Sequence, residues 1–349
     1  MTDNERHIIR KLLFKTLMFL LLLTAVDVLY YFTLYPKDLE KHCSLMGISK
    51  RAKKGVDIVY LGESSNHTCS KKDTDRRFIC EMIDDLLPEH RVGNLTKDAC
   101  HAGIYYDILR NIPRRSDVKT AIVTVNMRSF ATEWLYSDLE QPLQREQLMM
   151  RKGPALYRRM LLTFTEYTPW SEEERSNLLQ EGFENETLTF PYPFPYRTAI
   201  EWDTAVGKYC VLFDGSRPSL DTIALACHHI KHFALNLDDS NPRIKDLDNI
   251  VELCRKRGWQ PVFNILAENV DQIDSLCGPD LLFLLNQNVQ YVVDRYEAMG
   301  VITVNNLTAV RDTNFIDRDF PTEHYDQTGR MAIARNVAGA VSGESHDER

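Results

Sequence analysis

The spacing of apolar positions changes several times along the chain, and each change predicts an element. The first pattern is continuous. From Leu12 to Tyr35 the chain reads LLFKTLMFLLLLTAVDVLYYFTLY, and Thr16 to Tyr35 supplies about 20 residues broken only by Asp27, the length of a helix that crosses a bilayer. Tyr30, Tyr31 and Tyr35 fall at one end, where aromatic rings favour a membrane interface. The run is long, no small-x-small cleavage site follows it and aromatics fill its distal end. An uncleaved transmembrane anchor over 16–35 is therefore favoured over a cleaved signal peptide. Asp27 inside such a span either serves a partner or a proton, or lies close enough to the aromatic end to reach water.

A polar, basic connector over 36–54 leads into shorter patterns. Val56, Ile58, Val59, Tyr60 and Leu61 predict a buried strand that stops abruptly at Gly62-Glu63-Ser64-Ser65. A helical stripe follows in 73–87, through Phe78, Ile79, Met82, Ile83, Leu86 and Leu87, and Pro88 ends it. A short strand at 91–95, a helix over 104–112 stopped by Pro113, and a fully buried strand in Lys119 to Asn126 continue the alternation. From about 130 to 208 the alternation is lost, and this region reads as an insertion or lid. It holds a basic amphipathic stretch at 148–164, a helix start at Ser171-Glu172-Glu173-Glu174 and the run FPYPFPYRTAIEW (190–202). Those rings either contact a sugar or acyl chain or pack the loop onto the domain.

Regular patterning then returns. Asn241-Pro242 opens a helix closed at Gly258, a strand follows over 261–266, a helix over 279–299 ends at Gly300, and a strand at 301–304 precedes a last helix over 330–341. Strand and helix in this order predict an α/β domain over 55–341, a three-layer α/β/α arrangement with a mostly parallel central sheet. One transmembrane helix precedes it and a polar tail (342–349) follows.

Composition narrows the function classes. With 349 residues, 44% of them hydrophobic, the chain can bury a full core. A net charge of −8, with no zinc-like or basic-aromatic array, argues against nucleic acid as a partner. All eight cysteines follow the apolar span, an even count that suits disulfides, yet they are scattered without a CxxC and read better as buried thiols. His228 and His232 stand one helical turn apart like a metal pair, but no third ligand occurs at a recognisable spacing. Neither metal nor cofactor is expected.

The chemistry gathers at strand ends. A serine hydroxyl near neutral pH is a poor nucleophile and needs a positioned base, with donors for the oxyanion that acyl transfer creates. In chain order the sequence offers Gly62-x-Ser64 after the first strand, Gly103 after the second, Asn126 at the end of the third, and His324 before the last helix. Each has a plain alternative: Ser64 or His324 capping a helix, Gly103 permitting a turn, Asn126 ending a strand.

Together, in this order, the four blocks resemble the SGNH or GDSL hydrolase family over Val56 to Val341, the insertion excepted. The resemblance implies an SGNH/flavodoxin-like fold with Ser64 as nucleophile and His324 as general base and then acid. The N–H groups of Ser64 and Gly103 and the amide of Asn126 would form the oxyanion hole. Glu63 stands where the family usually has Asp. The family's acidic member precedes the histidine by three residues, and that position here is Pro321. Asp319 is the chosen carboxylate, ahead of Glu323 and Asp317, and a Ser-His dyad is the other option.

An N-terminal anchor ahead of such a domain is similar to membrane-tethered SGNH proteins of bacterial envelopes. These include the D-alanine transfer protein of lipoteichoic acid synthesis and the O-acyltransferases of exopolysaccharide modification. The resemblance implies O-acyl ester transfer to, or hydrolysis from, an envelope glycan, beside a membrane-bound O-acyltransferase. Basic residues flank the span on both sides, so charge alone does not orient it. The resemblance implies a cytoplasmic N-terminus (1–15) and an extracytoplasmic main domain. A degenerate scaffold that binds glycan without catalysis is the competing expectation.

Overall fold

The computed structural model describes residues 2–167 and 170–343, and the chain divides into two compact units. One comprises Met1–Gly47 and Gln144–Pro169, and the other Ile48–Leu143 and Trp170–Arg349. The region expected as one insertion is thus shared between the two. The tail expected over 342–349 lies outside the described residues beyond Gly343.

The first unit is helical. A helix over Asp3–Thr33 is long and apolar enough to cross a membrane, and Leu12, Phe14, Leu22 and Phe32 on it are exposed. Asp27, costly in such a helix, accepts the Leu156 backbone N–H at 2.7 Å. That places a carboxylate on the first turn of the Ala155–Tyr167 helix, where free N–H groups and the helix dipole favour negative charge. The expected connector is ordered in part, as helices over Tyr35–His42 and Ser44–Ser49. The Tyr35 hydroxyl donates to the Met149 carbonyl at 3.0 Å, and the Arg158 guanidinium stands 4.7 Å from its ring centroid.

The second unit is the expected three-layer α/β/α arrangement. Five strands, β1 (Ile58–Leu61), β2 (Val92–Asn94), β3 (Thr120–Val125), β4 (Gln260–Ile265) and β5 (Ile302–Asn305), form one sheet in the order β2-β1-β3-β4-β5, and every pairing is parallel. The strands are nearly continuous apolar runs because both faces are covered. Ile58, Tyr60, Ile122, Val262 and Val304 face the helices Ile79–Leu86 and Gln327–Ser342. On the alternate face, Phe263 meets Tyr296 of the Pro279–Glu297 helix edge-on at 4.8 Å. The helix expected from residue 73 begins only at Ile79. Arg330, fully buried, binds the carboxylate of Asp73 and the carbonyls of Thr68, Asp75 and Arg77, and so holds 68–77 as a loop. The eight cysteines are free thiols.

In the aromatic run, Phe190 lies 4.2 Å from Phe194 and 5.8 Å from Phe283, and Phe194 lies 4.9 Å from Trp202, centroid to centroid. Those rings pack one another, the second of the two alternatives open from sequence.

Candidate active site

Ser64 opens a single 3-10 turn, Ser64–Asn66, directly after β1. Just before it only a glycine fits, since a Cβ at Gly62 would stand 2.7 Å from the Tyr60 ring. Asn66 fixes the turn from below. Its Oδ1 accepts the Cys80 N–H at 2.9 Å, and its Nδ2 donates to Thr96 Oγ1 at 2.7 Å.

His324 arrives from the other end of the chain. Phe315 pairs antiparallel with Tyr325, and the Ile316 N–H donates to the His324 carbonyl at 2.9 Å, so 315–325 folds back on itself like a hairpin. The last helix starts just beyond, where Asp326 accepts from the N–H groups of Thr328 and Gly329. His324 Nε2 stands 2.9 Å from Ser64 Oγ, and Nδ1 stands 2.6 Å from Asp317 Oδ2. A carboxylate only accepts, so Nδ1 carries the proton and donates to it. Nε2 is then free to accept from the hydroxyl.

The carboxylate on His324 is therefore that of Asp317, not the expected Asp319. In the folded-back segment Asp317 lies one residue beyond the Ile316–His324 bond and comes level with the imidazole. Asp319 is further towards the tip and exposed. Gly103 also departs from expectation. Its N–H donates to His101 Nδ1 at 3.2 Å and caps the Ala102–Asn111 helix, and a Cβ there would stand 2.7 Å from Asp246 Oδ2. In this structure the Gly103 N–H is thus directed to the helix cap.

Asn126 stands at the edge that Ser64 occupies. Leu61 of β1 pairs with Val123 of β3, and Ser64 and Asn126 each follow their paired residue by three positions on neighbouring parallel strands. Asn126 Oδ1 accepts the Arg128 N–H at 2.9 Å, and Nδ2 donates to Glu323 Oε2 at 2.9 Å. Arg128, also buried, forks onto both oxygens of Glu323.

Two more buried carboxyls adjoin. Glu63 Oε2 is 3.4 Å from Ser64 Oγ, and burial together with the charge of Glu323 raises Glu63 from its ordinary value. The same two causes raise Glu268 well above its ordinary value. On the loop whose Lys97 N–H donates to the Gly62 carbonyl, Ala99 takes φ +59°, a left-handed conformation that costs a non-glycine about 1 kcal/mol.

Phe320, near the tip of the segment that carries His324, rests on His228 at 4.7 Å and His232 at 5.8 Å, centroid to centroid. His232 Nδ1 donates to the His228 carbonyl at 2.6 Å, and the two imidazoles are 6.5 Å apart. Among the described residues no group of three His, Cys, Asp or Glu could hold a metal ion.

The arrangement of Ser64, His324 and Asp317 can activate a hydroxyl for attack on an acyl carbon. No protein-family model matches the chain, and no curated protein matches it in sequence. Among solved structures it is similar to a candidate GDSL-like lipase from Parabacteroides merdae, at 9% identity and a TM-score of 0.37, over 83% of this chain and 97% of that one.

Asp317, Glu323 and Arg128 are the site residues that sequence reasoning missed or passed over. Asp317 had a usable signal in Phe315 and Tyr325, apolar residues that bracket the segment and can pair across it. Glu323 shows in the sequence only as a possible partner of the neighbouring His324, and Arg128 shows no signal, since charged residues are by default placed at the surface.

Proposed function

We propose that the chain is an SGNH-type serine esterase or O-acyltransferase that works through an acyl-enzyme on Ser64. One observation carries the reading: the His324 ring is hydrogen-bonded on one side to Ser64 Oγ and on the other to Asp317. His324 Nε2 takes the hydroxyl proton as Ser64 Oγ bonds to the acyl carbon, and Asp317 stabilises the imidazolium through Nδ1–H. The carbonyl oxygen becomes an oxyanion, received by the Asn126 amide and the Ser64 N–H. On collapse the C–O bond to the alcohol breaks, and His324 returns the proton to the leaving oxygen. Water, or the hydroxyl of a sugar acceptor, then attacks the ester on Ser64 by the same steps in reverse. No cofactor enters.

The substrate in this reading is an acyl ester of an envelope glycan or another acyl donor. The protein is single-pass, with its N-terminus inside and the main domain extracytoplasmic, and a membrane-bound O-acyltransferase is its partner. The apolar Asp3–Thr33 helix supports the membrane part of this reading, and the pairing of an anchor with a serine site supports the rest. The scaffold alternative drew on the missing acid at Pro321, and Asp317 now takes that place beside the base.

A fluorophosphonate probe is expected to label the wild type and not Ser64→Ala. Normal labelling of Ser64→Ala would sink the assignment. With p-nitrophenyl acetate as donor, faster acyl transfer to an added oligosaccharide than to water identifies the transferase, and the reverse identifies the esterase.

A further inference from the structure

Asn126 belongs to a closed loop of four hydrogen bonds, two of them its own. Its Oδ1 accepts from Arg128 N–H, its Nδ2 donates to Glu323 Oε2, and the Arg128 guanidinium binds both oxygens of that same carboxylate. The partners leave one orientation for the amide, because a backbone N–H needs the oxygen and a carboxylate needs the nitrogen. Of the two Nδ2 hydrogens, one is taken by Glu323, and the other meets no acceptor among the described residues.

A buried ion pair is a poor device for stability, since well-packed apolar residues of the same size do as well. This one is also poorly surrounded. Glu63 and Glu268 lie buried with it, and one oxygen of each makes no hydrogen bond to the described residues. Three carboxyls and one guanidinium under the ends of β1, β3 and β4 make a costly core, of the kind retained where geometry matters more than stability. Glu323 is moreover the residue before His324, so a single backbone step joins the clamp to the base.

We propose that Glu323 is a positioning residue: held by the Arg128 fork, its carboxylate fixes the amide plane of Asn126 and aims one N–H at the oxygen that becomes negative when Ser64 attacks. The role rests on the serine reading given above. Glu323 acts through Asn126 and does not touch the reacting atoms. Its two oxygens accept from Nε and Nη2 of Arg128 and from Nδ2 of Asn126, and they also meet the buried Glu268 carboxyl, which burial and the charge of Glu323 raise well above its ordinary value. A glutamine offers a single acceptor oxygen. Its NH2 would then face either the guanidinium or the Asn126 NH2, and the Asn126 amide would turn.

The test is a double-mutant cycle with p-nitrophenyl acetate on the full-length protein. Asn126→Ala should lower kcat about 100-fold or more, as loss of one oxyanion donor does. Glu323→Gln should lower kcat about 10- to 100-fold and move KM less than about 3-fold, because the lost interaction belongs to the transition state. Adding Glu323→Gln to Asn126→Ala should cost no more than about 2-fold further. A kcat for Glu323→Gln equal to wild type, or a double variant at the product of the two losses, overturns the proposal. If Glu323→Gln does not fold, Arg128→Lys keeps the charge, loses the fork and is judged by the same coupling. Fluorophosphonate labelling of Ser64 in each variant separates the two levels. Labelling retained with an uncoupled cycle removes the positioning role alone, whereas turnover that survives in Ser64→Ala removes the serine reading and the positioning role with it.

Discussion

The loops that leave β1 and β2 at the same edge of the sheet each combine a glycine with a histidine partner, and they put that histidine to opposite uses. After β1, Ser64 meets His324, whose side chain is 21% exposed and whose other nitrogen meets Asp317, itself 46% exposed. After β2, Gly103 meets His101, whose side chain is 1% exposed, with Nε2 3.1 Å from the buried Glu140 carboxylate. Burial pushes His101 down from its ordinary 6.5 to about 4, and the nearby Arg243 charge adds to the shift. An imidazole between a hydroxyl and a solvated carboxylate can pass a proton in both directions, while one sealed into a helix cap stays neutral and holds the backbone. Water access, more than residue type, separates the two.

The largest expected effect that tests this contrast is at Ser64, where Ser64→Ala should abolish turnover, a loss on the order of 10⁴-fold or more in kcat. Next, Asp317→Asn should keep the fold and lower kcat on the order of 10³-fold, since the imidazole loses the partner that fixes its tautomer. A wild-type rate for Asp317→Asn would break the comparison on its β1 side.

On the β2 side the effect is on stability. His101 titrates lower in the folded chain than its ordinary 6.5, so the unfolded state binds more protons between pH 6.5 and about 4. Its contribution is fully present above pH 6.5 and is lost as pH falls towards about 4. Urea unfolding should therefore show the wild type losing, through that window, a few kcal/mol more stability than a variant without the His101 imidazole. His229, pushed down to about 4 by burial, adds to the same slope. His101→Gln should flatten it, and an unchanged slope in that variant would count against the sealed cap.

Smaller again is the difference between the two glycines. Gly62→Ala forces a Cβ against the buried Tyr60 ring and should cost ~1–3 kcal/mol. Gly103→Ala meets the tip of Asp246, which can swing aside, and should cost less than ~1 kcal/mol by the same unfolding measurement. The smallest effect is at Asp319, where Asp319→Asn should leave kcat/KM within about 2-fold of wild type because that side chain is exposed and away from the imidazole.

Legibility from sequence follows the physics of each region. All five strands show in the apolar runs within a few residues, because sheets covered on both faces demand such runs and short turns punctuate them. Ser64 and His324 are legible as types at strand and helix ends. Their meeting across the molecule is a tertiary fact. Asp317 is hidden because distance along a chain is a poor guide inside a segment folded back on itself, where Ile316 lies opposite His324 and the nearer Asp319 sits towards the tip. Gly103 is ambiguous in sequence because a helix cap and an oxyanion hole ask for the same backbone N–H, and the cap contact with His101 is a tertiary fact. The shared insertion escapes pattern reading as well, since 144–169 belongs with helices that come more than a hundred residues earlier.

That last feature bears on how the protein can be cut. The carboxylate of Asp27 and the hydroxyl of Tyr35 are bound to backbone groups of Leu156 and Met149, which enter the chain only after β3 is complete. A truncation that removes the apolar helix to gain solubility would therefore strand 144–169 in the middle of the remaining polypeptide, with its apolar face and the first turn of its helix left open. The helical unit and the α/β unit are not beads on a string. Removing the N-terminal part of the first leaves 144–169 inside the second without its partner helices, so isolating the α/β unit calls for two cuts, one before Ile48 and one that takes out Gln144–Pro169.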